Sequence, residues 1–109
     1  MKIKDELTNI LSIILDIFEI SDTNDITVDD ILSKSRKETY VIIRCLFINK
    51  AIKEGYKINM IARFLNRTPS TIRHLINISK DYYDTSKIYR DSEQQIDKIV
   101  INKEQNTNI

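Results

Sequence analysis

The chain has 109 residues, 41% hydrophobic and 30% charged, a balance that suits one folded domain and excludes a disordered chain. A single Gly and a single Pro exclude turn-rich β architecture, and the lone Cys45 excludes an internal disulfide or a thiolate metal cage. The net charge of +1 conceals a strong segregation: residues 1–32 carry a net −6, residues 33–80 a net +9 from 11 Lys/Arg against 2 Asp/Glu, and residues 81–109 a net −2.

Apolar residues at 3, 7, 10, 11, 14, 17 and 18 predict a first helix from Ile3 to Phe18, widened by Ile13 and Leu15, with Lys2, Lys4, Asp5 and Glu6 outside. The polar run "SDTND" at 21–25 breaks it. "TVDD" at 27–30 reads as a variant capping box with Ile26 and Ile31 placed as a hydrophobic staple, opening a short helix that ends near Ser33. "SRKE" at 35–38 reads as a second capping box, opening a long helix from about Arg36 to Glu54 with Gly55 as its stop. Val41, Ile42, Cys45, Leu46, Ile48 and Ile52 cover so much of that helix that it belongs at the centre of the core.

A short helix from about Ile58 to Leu65 follows, and then "NRTPSTIRH" at 66–74. Thr68 is a preferred N-cap and Pro69 suits the first helical position, where its missing N–H costs nothing. A helix from about Pro69 to Asp81 is expected, with Ile72, Leu75 and Ile76 facing inward and Ile78 at the border. A last helix falls within 86–103, with Ile96, Ile99 and Val100 on one side, and residues 104–109 form a frayed tail. Tyr82 and Tyr83 are expected to pack that helix onto the core. The whole reads as a small all-α domain of five to six helices spanning 1–109, with an N-terminal helix over 1–20 and a core over 27–81.

The function is sought around residue 69. Ser70, Arg73, His74 and Asn77 recur at helical spacing opposite the apolar stripe, one cation and three hydrogen-bonding side chains that suit base edges in a major groove, with Thr71 able to meet base or phosphate. The preceding "INMIARFL" supplies small Ala62 and apolar Ile61 and Leu65, with Asn66 in the turn, a residue that tolerates the left-handed conformation. These are the positions that a helix-turn-helix needs, although an ordinary helical hairpin with a wet polar face fits the same local pattern. Lys34, Arg36, Lys37, Arg44, Arg63 and Arg67 are the candidates for phosphate or minor-groove contacts. Arg44 interrupts an apolar helix. It either reaches the DNA side, snorkels to solvent or pairs with an acid of the first helix.

The stretch "ILSKSRKETYVIIRCLFINKA…INMIARFLNRTPSTIRHLI" resembles the C-terminal DNA-binding domain of the bacterial replication initiator DnaA over about residues 7 to 80. Ser35, Arg36 and Lys37 match that family's basic opening, Arg44 its internal Arg, and Arg67, Ser70, Thr71, Ile72 and His74 its helix-turn-helix signature. The pattern departs where one glycine is missing, the other is Asn66, and an Asp-His pair is replaced by Thr68 and Pro69. No GxxxxGK[ST] loop of an ATPase domain occurs. The resemblance implies a stand-alone, sequence-specific binder of double-stranded DNA, a regulator of transcription or replication.

No HExxH or Cys-x-x-Cys spacing and no phosphate loop supports catalysis, so no enzyme activity, cofactor or metal is expected. No apolar run reaches the ~18 residues of a membrane span, and "MKIKDEL" lacks a signal-peptide core, which suits a cytoplasmic protein. The rival reading is a helical interaction module whose basic face binds an acidic protein partner. A third keeps the DNA but adds a homodimer or protein contact through the N-terminal or C-terminal helix.

Overall fold

In a computed structural model, residues 2–21 and 26–99 are described, with side chains from Ile3 to Ile17 and from Ile26 to Ile99. The Asp22–Asp25 part of the polar break, the Phe18 side chain, Val100 and the tail lie outside them. Among the described residues there are six helices and no strand: α1 Lys2–Ser21, α2 Val28–Leu32, α3 Glu38–Lys53, α4 Ile58–Leu65, α5 Pro69–Thr85 and α6 Lys87–Asp97. No helix of the described residues is long and apolar enough to cross a membrane.

Helix α1 buries Leu7, Ile10, Leu11, Ile14 and Leu15, which is the stripe that its 3–4 spacing dictates, while Ile3 in its first turn stays exposed. The short α2 is held by its ends. Thr27 Oγ1 accepts the Asp30 amide at 3.2 Å and the Asp30 carboxylate accepts the Thr27 amide at 2.9 Å, the reciprocal capping box, while Ile26 and Ile31 are both buried as a staple requires.

Helix α3 touches each of the other five helices. Its fully buried residues are Ile43, Cys45, Phe47, Ile48 and Ala51, with Leu46 nearly so, and they point in almost every direction. Two expectations are corrected here. Ile52, placed in the core from sequence, is 37% exposed, and Phe47 rather than Ile52 fills the space against Phe64 at 5.4 Å between ring centroids. The helix also begins at Glu38, with Lys37 as N-cap and no side-chain cap, instead of at Arg36 behind a Ser35 cap. The Ser35 hydroxyl accepts the amide of Lys37, two residues on, and its carbonyl is taken by Arg44 Nη1 at 2.8 Å. Lys37, at φ −55° and ψ 135°, is still non-helical, and its carbonyl accepts the first bond of the helix, from the Val41 amide at 3.0 Å.

The far end of α3 closes as expected. Gly55 adopts φ 99°, with Gly55 N–H donating to Ile52 and Tyr56 N–H to Ala51, the paired bonds of a Schellman stop. The Tyr56 hydroxyl donates to Glu6, tying this corner to α1.

Helix α5 runs one turn past the expected Asp81, to Thr85. Tyr82 supplies the reason, because its ring stacks on Tyr89 of α6 at 5.6 Å, and packing outweighs the polar composition of that last turn. Tyr83 instead is 37% exposed, with the Arg90 guanidinium over its ring. Ser86 then caps α6, accepting the Tyr89 amide at 3.1 Å. Tyr89 is buried and its hydroxyl accepts a hydrogen bond from Asn49 of α3, so α6 is anchored by Tyr89 and Ile96 together.

Candidate nucleic-acid interface

Between α4 and α5 the chain turns in three residues. Asn66 takes φ 58°, ψ 47°, the left-handed conformation. Its amide donates to the Arg63 carbonyl at 3.2 Å and the Arg67 amide to Ala62 at 2.8 Å, a second Schellman closure with Asn where Gly is commoner. Thr68 then caps α5, its Oγ1 accepting the Thr71 amide at 3.2 Å, and Pro69 occupies the first helical position. Stop and start signals follow each other without slack, so the direction of α5 relative to α4 is set by the turn and locked beneath by buried Ile61, Ala62, Leu65, Ile72 and Leu75.

The opposite side of α5 is open. Ser70, Arg73, His74 and Asn77 are all exposed, and Lys80, three residues beyond Asn77 and also exposed, prolongs the row by nearly a turn. The row therefore offers donors and acceptors at i, i+3, i+4 and i+7 with no carboxylate before Asp81. Thr71 stands slightly aside. It is half-buried, with its hydroxyl 3.1 Å from that of Thr68, so it belongs to the cap as much as to the face.

The cations divide by location. Lys50 pairs with Glu54 at 3.2 Å, Lys53 with Asp97 at 2.9 Å and Lys87 with Asp91 at 2.7 Å, all toward the C-terminal end of α3 and along α6. Lys34, Arg36, Arg63 and Arg73 are exposed and make no ion pair among the described residues. Lys37 lies over the Tyr40 ring at 5.4 Å. Exposed ion pairs stabilise a fold little. What matters is that acids pair with Lys50, Lys53 and Lys87, whereas no described acid pairs with Lys34, Arg36, Arg63 or Arg73.

The loop 33–37 joins this surface to the turn through two arginines. Arg44, the sharpest of the sequence candidates, does not reach the surface at all. It is only 4% exposed, and its guanidinium donates to the carbonyls of Ile31 at 2.8 Å, Ser35 at 2.8 Å and Ser33 at 2.9 Å. Among the described residues it neither snorkels to solvent nor pairs with an α1 acid, and its donors are spent inside the protein instead of facing a DNA partner, because the connector between α2 and α3 folds over it and presents carbonyls. Burial lowers its pKa, and the neighbouring Arg67 lowers it further. Arg67 itself is half-buried, donating from Nη1 to Leu65 at 2.9 Å and from Nη2 to the same Ser33 carbonyl at 2.6 Å. Two guanidinium groups thus converge on one carbonyl, and neither forms an ion pair among the described residues.

The sequence marked Ser35 as a helix cap and Ser33 as a helix end, but not the turn that the two serines of "SKSRK" build together, for which their two-residue spacing was the available signal. Ser33 Oγ donates to the Asp30 carbonyl at 2.6 Å and accepts the Ser35 amide, while Ser35 Oγ accepts the Lys37 amide. The serines bond to backbone, while Lys34, Arg36 and Lys37 between and beyond them stay exposed. Among the described residues, no group of three or more His, Cys, Asp or Glu side chains is placed to hold a metal ion. Compared with family models, with curated proteins and with solved structures, the chain has no match.

Proposed function

We propose that the protein binds double-stranded DNA as a helix-turn-helix module, with α5 entering the major groove and the loop 33–37 meeting the adjacent backbone or minor groove. The observation that carries this reading is the exposed row Ser70, Arg73, His74 and Asn77 on a helix held at both ends of its turn, together with exposed cations that pair with no acid among the described residues. Side chains that reach base edges must be free of intramolecular partners, and backbone-binding cations must not be quenched in advance. The local resemblance to the DNA-binding domain of DnaA supports the same assignment. Ser70, Arg73, His74 and Asn77 read bases, while Lys34, Arg36, Lys37 and Arg63 hold phosphates; sequence-specific control of transcription or replication is the role that follows.

The test is selection of duplexes from a random pool, followed by titration of the recovered sequence by fluorescence anisotropy over a range of salt. Four phosphate contacts give a log–log slope of affinity against salt of about −3 to −4. Arg73→Ala is expected to relax base preference, and Lys34→Ala to weaken all duplexes alike. Binding that ignores sequence, or that acidic polypeptides match, would instead favour the acidic-partner module.

A further inference from the structure

Ser33 is the one carbonyl that both buried Arg44 and half-buried Arg67 grasp, at 2.9 and 2.6 Å, although Ser33 and Arg67 lie 34 positions apart in the chain. Arg44 enters from α3 and holds the loop 33–37 from below through alternate carbonyls, Ile31, Ser33 and Ser35. Arg67 enters from the α4–α5 turn and, by its second bond to Leu65, is fixed to the end of α4. The loop carries exposed Lys34, Arg36 and Lys37, and the turn launches α5.

Resting on the DNA-binding reading above, we infer that Arg44 and Arg67 are positioning residues: through the Ser33 carbonyl they couple the cationic loop to the recognition helix, so that phosphate contacts and base contacts share one register. The physical reason is the division of labour in protein–DNA contacts. Backbone contacts fix where the protein sits and base contacts decide which sequence is accepted, so discrimination survives only if the distance between the two sets is held. A guanidinium suits this task because its planar fork bonds several acceptors in fixed directions, whereas an ammonium acts as a single rotatable point. The pair has a second effect. Its two positive charges add to the field that draws a polyanion to this side of the molecule.

The experiment compares the full chain with Arg67→Lys and Arg44→Lys, each of which keeps the charge and loses the fork. Affinity is measured for the duplex recovered by selection and for a scrambled duplex, with salt titrations of both. Coupling predicts that the ratio of the two affinities falls about tenfold, the order of one misaligned bidentate base contact, while the salt slope is unchanged because the phosphate-holding cations remain. A merely structural role would reduce the folded fraction and weaken both duplexes equally, leaving the ratio where it was. Amide hydrogen exchange of the free protein supplies an independent arm. In Arg67→Lys the amides of Ser35 and Lys37, which donate within the loop, should exchange faster. An unchanged ratio, or exchange altered only at residues 65–68, overturns the coupling and leaves the DNA reading standing. Failure of the wild-type chain to bind any duplex overturns the DNA reading, and the positioning role falls with it. Arg67→Lys alters a partly solvated side chain, so it decides the matter even if Arg44→Lys fails to fold.

Discussion

Arg44→Met separates a brace from a DNA contact in one measurement. The substitution keeps an unbranched stem in the buried space and removes three hydrogen bonds of 2.8, 2.8 and 2.9 Å. Bonds from a charged donor contribute about 1.5–3 kcal/mol each, so the gross loss is roughly 5–9 kcal/mol on that scale. Two effects offset it. The native state no longer holds a desolvated guanidinium, which costs several kcal/mol when buried, and the Ser33 carbonyl keeps its bond from Arg67. A net destabilisation of about 2–3 kcal/mol follows, within the range for breaking a buried polar network. For a domain of this size that lowers Tm by about 10–20 °C. Urea unfolding followed by far-UV circular dichroism reads it as a drop in midpoint at constant slope. Arg63→Ala, at an exposed site, should stay within about 0.5 kcal/mol. An Arg44→Met protein as stable as wild type that has nonetheless lost DNA affinity would refute the brace and restore the surface role that its sequence position first suggested.

Other expectations concern the turn and the buried hydroxyls and thiol. Asn66→Val should cost about 1–2 kcal/mol, because a β-branched residue is strained at φ 58°, whereas Asn66→Gly should leave the urea midpoint at or above the wild-type value. Equal losses for both would show that the turn is not what fixes α5. Burial pushes the Cys45 thiol up to about 12, with Arg44 opposing, and burial also raises the phenols of Tyr56, Tyr82 and Tyr89. Each of these groups binds its proton more tightly folded than unfolded. Their contribution is therefore fully present below the ordinary value, pH 9 for the thiol and 10 for the phenols, and is lost as pH rises through the folded values. The urea midpoint should hold between pH 7 and 8.5 and decline steadily above about pH 9; an identical midpoint at pH 8 and pH 11 would contradict the burial of these groups.

The parts of the fold legible from the chain were those set by short-range chemistry. The Thr27–Asp30 capping box, the Gly55 stop, the left-handed Asn66 and the Thr68–Pro69 start all stand where their residue types placed them, since each acts within three to five positions of its own. The row Ser70, Arg73, His74 and Asn77 was legible for the same reason, because helical periodicity alone puts it opposite Ile72 and Leu75. Helix α3 resisted that logic. It is apolar nearly all round, so periodicity could not say that Phe47 is enclosed while Ile52 meets water. Its start lies at Glu38 because Lys37 keeps a non-helical backbone at ψ 135°, at the end of a loop whose carbonyls Arg44 gathers.

By itself the linear order of residues determined the six helices, the caps and stops at Thr27, Gly55, Asn66 and Thr68, the polar face of α5 and the concentration of positive charge between residues 33 and 80. Only the tertiary structure decided which cations remain available. Arg44 and Arg36 are the same residue type in one basic stretch, yet the first is enclosed beneath carbonyls and the second stands in solvent. The acceptors that hold Arg44 and Arg67 are backbone oxygens, which every residue possesses and no sequence pattern marks. Folding alone brings them within 3 Å of those side chains.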